Sequence, residues 1–149
     1  MQVMTGEALT ILLVEDNLDH AELVIRNMED FKVANKIVHL EDGEAALDYL
    51  HRRGEYADCT RFPMPHLMLL DLRLPKVDGL QVLKEVKSSE TLRALPVVVL
   101  TTSDAERDLA MAYEYHANSY LTKPVDFNDF SRLLGDMGFY WLAWNKRPW

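Results

Sequence analysis

Cysteine is nearly absent: Cys59 stands alone in 149 residues. One thiol excludes an internal disulfide and the usual zinc-ligand spacings, and it suits a reducing compartment. Basic charge is also scarce. Lys and Arg number 16 against 24 Asp and Glu, a formal net charge of −8. Binding bare nucleic acid needs a Lys/Arg surface to neutralise phosphates, so a nucleic-acid partner is not expected. Long apolar runs are missing too. Ile11–Val14 is too short for a signal core or a span, runs straight into acid, and has no basic residue ahead of it. The expectation is a soluble, cytoplasmic protein without a membrane partner. No internal repeat or low-complexity segment interrupts the chain.

What is present is a set of short apolar runs separated by turn signals. Hydrophobic residues make up 48 %, enough for one core at a length typical of one domain. Thr10–Val14, Lys36–Leu40, His66–Asp71, Leu95–Thr101 and Ser119–Thr122 read as strands, most of them buried on both faces. Pro96 suits the start of the fourth, where no ladder donor is needed. Helical spacing fills the gaps. Asn17 to Phe31 places Ala21, Val24, Ile25, Met28 and Phe31 on one side. Asp42 reads as the N-cap of a helix over Gly43–Arg53 with Ala46, Leu47 and Leu50 inward. Asp78-Gly79 opens another with Leu80, Leu83 and Val86 on one side. Ser103-Asp104-Ala105-Glu106 is a capping box for a helix to about Tyr115, and Asp126 caps a last one to about Met137. Gly54–Pro65, which carries Cys59, reads as a long loop.

Strand and helix alternate five times with short turns. That pattern predicts an α/β fold, a doubly wound parallel sheet with right-handed crossovers. One domain over residues 1–138, with its core at about 10–137, would be followed by an aromatic tail at 139–149 and no effector domain.

The centre of this arrangement is His66-Leu67-Met68-Leu69-Leu70-Asp71. In an open parallel sheet, ligands collect at the carboxyl ends of the strands. There the first strand would deliver Glu15 and Asp16, the third Asp71, the fourth Thr101 and Thr102, and the fifth Lys123. Singly, each has an ordinary role open to it: a helix cap, a strand residue, a solvated lysine. Together they suggest chemistry. Three adjacent carboxylates repel one another, and a divalent cation removes that penalty. Oxygen ligands favour Mg²⁺ or Mn²⁺ over zinc. An ammonium and a cation beside a carboxylate could stabilise an incoming phosphoryl group, and the carboxylate itself could be the nucleophile, giving an acyl phosphate.

The sequence resembles the receiver domains of bacterial two-component response regulators. The residues that carry the likeness are Glu15-Asp16, Asp71-Leu72-Arg73-Leu74-Pro75 with Asp78-Gly79 beyond, Thr101, and Lys123-Pro124, within about Thr10 to Met137. More narrowly, the long loop before Asp71 and the aromatic tail are similar to the stand-alone response regulators that partner cyanobacterial phytochromes. The resemblance implies a five-stranded sheet in the order 2-1-3-4-5. It implies that Asp71 accepts phosphate from a sensor histidine kinase, here a phytochrome, and that the protein is a phosphoacceptor rather than an enzyme acting on other substrates. Glu15, Asp16 and Asp71 would hold Mg²⁺, with Mn²⁺ as an alternative and the Arg73 main-chain carbonyl as a further ligand. Thr101 and Lys123 would contact the phosphate, Tyr120 would be the aromatic switch residue that follows Thr101, and the Lys123-Pro124 peptide would be cis. Glu15-Asp16 departs from the commoner Asp-Asp pair, and either acid can serve.

With no effector domain, output is expected through a contact. A homodimer through the fourth helix, fifth strand and fifth helix, joined by the tail Phe139–Trp144, would bury side chains too apolar for water. Two other functions fit a nucleophilic or ligand-binding strand end less well. An aspartate-nucleophile hydrolase typically needs a second acid where Arg73 stands. A flavodoxin-type flavin module would need a Ser/Thr/Gly-rich phosphate loop where Glu15-Asp16-Asn17 stands. A degenerate receiver acting only as a scaffold would lack some of the acceptor-site groups.

Overall fold

A computed structural model describes residues 10–31, 36–102, 114, 117 and 119–123. Five strands, β1 (Thr10–Val14), β2 (Lys36–Leu40), β3 (Leu67–Asp71), β4 (Val97–Thr102) and β5 (Ser119–Lys123), form one sheet in the order β2-β1-β3-β4-β5. Every neighbouring pair is parallel. The alternation of short apolar runs with helical segments therefore resolves into the doubly wound α/β sheet it implied.

The interior strands are apolar on both faces because both are covered. Leu12, Val14, Met68, Leu70, Val97 and Val99 share one face. They pack with Ala46, Leu47, Tyr49 and Leu50 of α2 (Gly43–Leu50) and Val82, Leu83 and Val86 of α3 (Gly79–Ser88). Ile11, Leu13, Leu67, Leu69, Val98 and Leu100 alternate with them and are buried too. Among the α1 (Leu18–Phe31) residues whose side chains are described, Ala21 and Val24 are buried apolar ones. The edge strand β2 is half-buried. None of the described helices is long and apolar enough to cross a membrane.

Caps set the helix starts. The Asp42 carboxylate accepts from Ala45 N–H at 2.7 Å and that of Asp78 from Gln81 N–H at 3.0 Å, each satisfying a first-turn donor. The α3 face differs from the spacing prediction: Val82, Leu83 and Val86 are buried and Leu80 only half so. The helix predicted over Gly43–Arg53 stops at Leu50. Arg52 adopts a left-handed φ of 62°, and Arg53 N–H reaches back to the Asp48 carbonyl at 2.9 Å. This is a Schellman closure with arginine in the position that usually falls to glycine. The Arg52 guanidinium donates to the carbonyls of Tyr56 and Phe62, which gives the strained residue a compensating role.

The segment read as a plain loop is organised. Gly54–Ala57 forms a 3₁₀ turn, and the rings of Tyr56 and Phe62 lie 5.2 and 5.9 Å from that of Tyr49. Tyr49 is fully buried and its hydroxyl donates to the Pro63 carbonyl at 2.6 Å. Burial pushes that hydroxyl above its ordinary pKa, so it keeps the proton the bond requires. Tyr49→Phe is expected to cost about 1–2 kcal/mol, because it orphans a half-buried carbonyl. Denaturant unfolding would measure the loss, and faster amide exchange across 54–65 would locate it. Cys59 is exposed.

The helices predicted from Ser103 and Asp126, Pro124 and its peptide, and the aromatic tail all lie outside the described residues, apart from Glu114, which is helical.

Candidate acidic site at the sheet edge

The register builds the site. Leu13 of β1 pairs with Leu69 of β3. Two residues on, with the side-chain period of two, Glu15 and Asp71 come level on the same side of adjacent strands. Asp16 follows as the chain leaves β1. Carboxylate oxygens of Glu15, Asp16 and Asp71 all lie within 4.8 Å of one another. Glu15 is 0 % exposed and Asp71 3 %, so neither can swing out into solvent to relieve the repulsion. Asp16 is exposed and forms the open side.

Backbone donors hold the two buried acids. Asn17 N–H donates to Glu15 Oε2 at 3.1 Å, while the Asn17 side chain accepts from His20 N–H at 3.0 Å and so caps α1. Arg73 N–H donates to Asp71 Oδ1 at 3.2 Å. The chain after Asp71 is pinned in turn: Leu72 N–H to Leu100 O at 3.3 Å, and Gly79 N–H to Leu72 O at 2.9 Å. A Cβ on Gly79 would overlap the Asp71 carbonyl oxygen and come 2.5 Å from Leu72 Cα. Only hydrogen fits there. Asp16, Leu72, Arg73, Leu74, Pro75, Asp78 and Leu80 line an open cleft beside the acids. The β3–α3 loop that forms its floor is tied to α2: Lys76 Nζ lies 3.8 Å from Asp42 Oδ2 and 3.7 Å from Glu44 Oε1.

Of the residues singled out in the sequence, Glu15, Asp16 and Asp71 are brought together. Arg73 lies two residues on, exposed at the cleft. Asp71 pairs with Leu100 on β4, so the Thr101 backbone sits one step beyond it on the neighbouring strand. Lys123 pairs with Thr102, and Tyr120 with Val99. The side chains of Thr101, Tyr120 and Lys123 lie outside the described residues, as does Pro124. Gly79 was legible only as a helix start; its contact with the Asp71 backbone depends on how α3 docks, for which no local signal exists.

Hard carboxylate oxygens so closely grouped are the donor set a divalent cation takes. The cluster fits such an ion, because its charge would offset a repulsion that burial does not allow the acids to escape.

The family model for the response regulator receiver domain matches residues 11–134. The chain belongs to that family. Its relatives include Rcp1, a response regulator of Synechocystis, 42 % identical over 132 residues that cover 89 % of this chain and 88 % of Rcp1. FilR2 of Methanothrix harundinacea, named as a probable methanogenesis regulatory protein, is 51 % identical over 140 residues, covering 93 % and 86 %. The Mn²⁺-bound form of Rcp1 superposes with a TM-score of 0.75 at 41 % identity, covering 89 % of this chain and 94 % of that one. The phosphorylated cyanobacterial phytochrome response regulator RcpA gives 0.77 at 39 %, covering 91 % and 94 %. This receiver is thus related to phytochrome response regulators, as the loop and tail of the sequence suggested, and its acidic cluster fits the divalent-metal binding of its family.

Proposed function

We propose that this receiver accepts a phosphoryl group on Asp71 from the phosphohistidine of a sensor kinase. A carboxylate oxygen of Asp71 attacks phosphorus, a P–O bond forms, the P–N bond breaks, and the histidine nitrogen leaves and takes a proton. The observation that carries the reading is the convergence of Glu15, Asp16 and Asp71 within 4.8 Å at the sheet edge. Glu15, Asp16, Asp71 and the Arg73 main-chain carbonyl would hold Mg²⁺. When bound, the ion supplies positive charge to the oxygens of the arriving phosphoryl group. Arg73 N–H fixes Asp71 Oδ1, which orients the acceptor. Thr101 would donate a hydrogen bond to the phosphate and Lys123 would pair with it, with Tyr120 following Thr101 to change the surface that partners read.

The extent proposed for the receiver unit is residues 1–138, with 139–149 as a tail. We assign output to a homodimer through the fourth helix, β5, the last helix and the tail. Relatedness to the phytochrome response regulator RcpA supports a phytochrome as the kinase. The 51 % identity to FilR2 supports a second reading, a kinase that senses something other than light.

Incubation with acetyl phosphate and Mg²⁺, followed by intact mass, tests the chemistry. One added phosphoryl group is expected, and none when EDTA removes the cation. Equal labelling with and without EDTA would show that the acids do not work through a metal.

A further inference from the structure

Both backbone polar groups of Glu15 are engaged by the edge strand. Its N–H donates to the Leu40 carbonyl at 3.0 Å, an ordinary rung of the β1–β2 ladder. The next rung should come from backbone two residues further along, but β2 ends at Leu40 and the chain turns to cap α2 at Asp42. A side chain fills the place instead. His39 Nε2 lies 2.7 Å from the Glu15 carbonyl oxygen. A carbonyl only accepts, so Nε2 carries the hydrogen and donates. His39 pairs with Leu13 on β1, and Leu13 with Leu69 on β3. The imidazole therefore belongs to the row of side chains directly beneath the Glu15–Asp71 pair, and it reaches up one level along the strand.

We propose that His39 is a positioning residue for the cation site. It fixes the peptide that joins Glu15 and Asp16, the two acids that follow β1, at the point where the ladder can no longer do so. The geometry favours this role over simple packing. The hydrogen bond is short, its acceptor belongs to a wholly buried residue, and that peptide's orientation sets both the Glu15 and Asp16 carboxylates. A half-buried leucine would pack as well on an edge strand yet remove the imidazole hydrogen bond to this carbonyl. Partners of this kind around a metal site commonly change affinity 10–100-fold when removed.

This inference rests on the proposed function, since it presumes that Glu15 and Asp16 hold a cation. Titration of the full chain with Mn²⁺, reading the free ion by electron paramagnetic resonance, tests it without recourse to phosphorylation. His39→Leu is expected to weaken Mn²⁺ binding about tenfold or more. His39→Gln, whose amide nitrogen can reach the same carbonyl, should stay within about threefold of the wild type. Should the leucine variant not fold, His39→Asn, too short to reach Glu15, takes its place with the same expected loss. Wild-type affinity in the variant without the donor would overturn the positioning role. So would a glutamine variant as weak as leucine, because the donor would then not be what matters. A wild-type chain that fails to bind Mn²⁺ would instead sink the cation site itself, and with it both readings.

Discussion

Asp71→Asn is expected to take up no phosphoryl group under conditions where the wild type takes up one. The carboxamide has nearly the shape of the carboxylate, and its oxygen can still accept from Arg73 N–H, which Asp71 Oδ1 engages at 3.2 Å. The fold should therefore survive. What is lost is the nucleophile, since an amide oxygen does not form an acyl phosphate, and one of the three charges within 4.8 Å. The second loss has its own readout. A cation bound at 100 times its Kd stabilises a protein by about 2.7 kcal/mol, which for a chain of this size raises the melting temperature by roughly 5–10 °C. Mg²⁺ should produce such a rise in the wild type and a clearly smaller one in Asp71→Asn. Phosphorylation of the variant elsewhere, or an undiminished Mg²⁺ response, would move the acceptor or the metal away from Asp71.

Gly79→Ala carries the second large effect, and its sign is unusual. Replacing glycine with alanine in a helix ordinarily stabilises, by up to about 1 kcal/mol. Here the new Cβ would overlap the Asp71 carbonyl oxygen and lie 2.9 Å from the Asp71 carbonyl carbon. These are backbone atoms of the last β3 residue, held by pairing to β4 and by the Gly79 N–H bond to Leu72 O at 2.9 Å. Either α3 moves off the sheet or the end of β3 shifts. The expected cost is about 1–3 kcal/mol, as for other overpacked sites. Since displacements near 1 Å at a reacting group reduce rates about 100-fold, phosphorylation of Asp71 by acetyl phosphate should slow by about tenfold or more. Gln81→Ala, exposed on the same helix, is the matched control and should change neither. A Gly79→Ala protein as stable and as reactive as the wild type would mean that the close approach does not constrain the acceptor.

Gly79 marks a boundary between two kinds of information. Local chemistry was enough to find the helix that it starts. Asp78 is a capping residue ahead of an amphipathic run, and the cap forms at 3.0 Å. Asp42 behaves the same way. The strands were legible because an apolar run bounded by breakers has few other stable uses, and β1, β2, β3 and β5 fall within a residue of their predicted limits, while β4 starts two residues later than predicted. The C-terminus of α2 was misplaced by three residues. Nothing in the spacing of Ala46, Leu47 and Leu50 signals that Arg52 will turn left-handed so that its guanidinium can tie down Tyr56 and Phe62. Tyr49 was missed as a core residue for a related reason: its burial requires the partners that the 54–65 segment folds back to supply.

By itself the sequence determined which residues could do the chemistry, because short-range patterning places acids at the ends of the first and third strands whatever the strands' neighbours are. Bringing Glu15 and Asp71, 56 positions apart, to within 4.8 Å was decided by the tertiary structure. It required β1 and β3 to be neighbours, parallel, and aligned Leu13 to Leu69. The same holds for Gly79 beneath Asp71 and for His39 at the Glu15 carbonyl. Periodicity along a chain fixes which face a side chain takes, but the distance between two segments is set by register and packing, which no single segment contains.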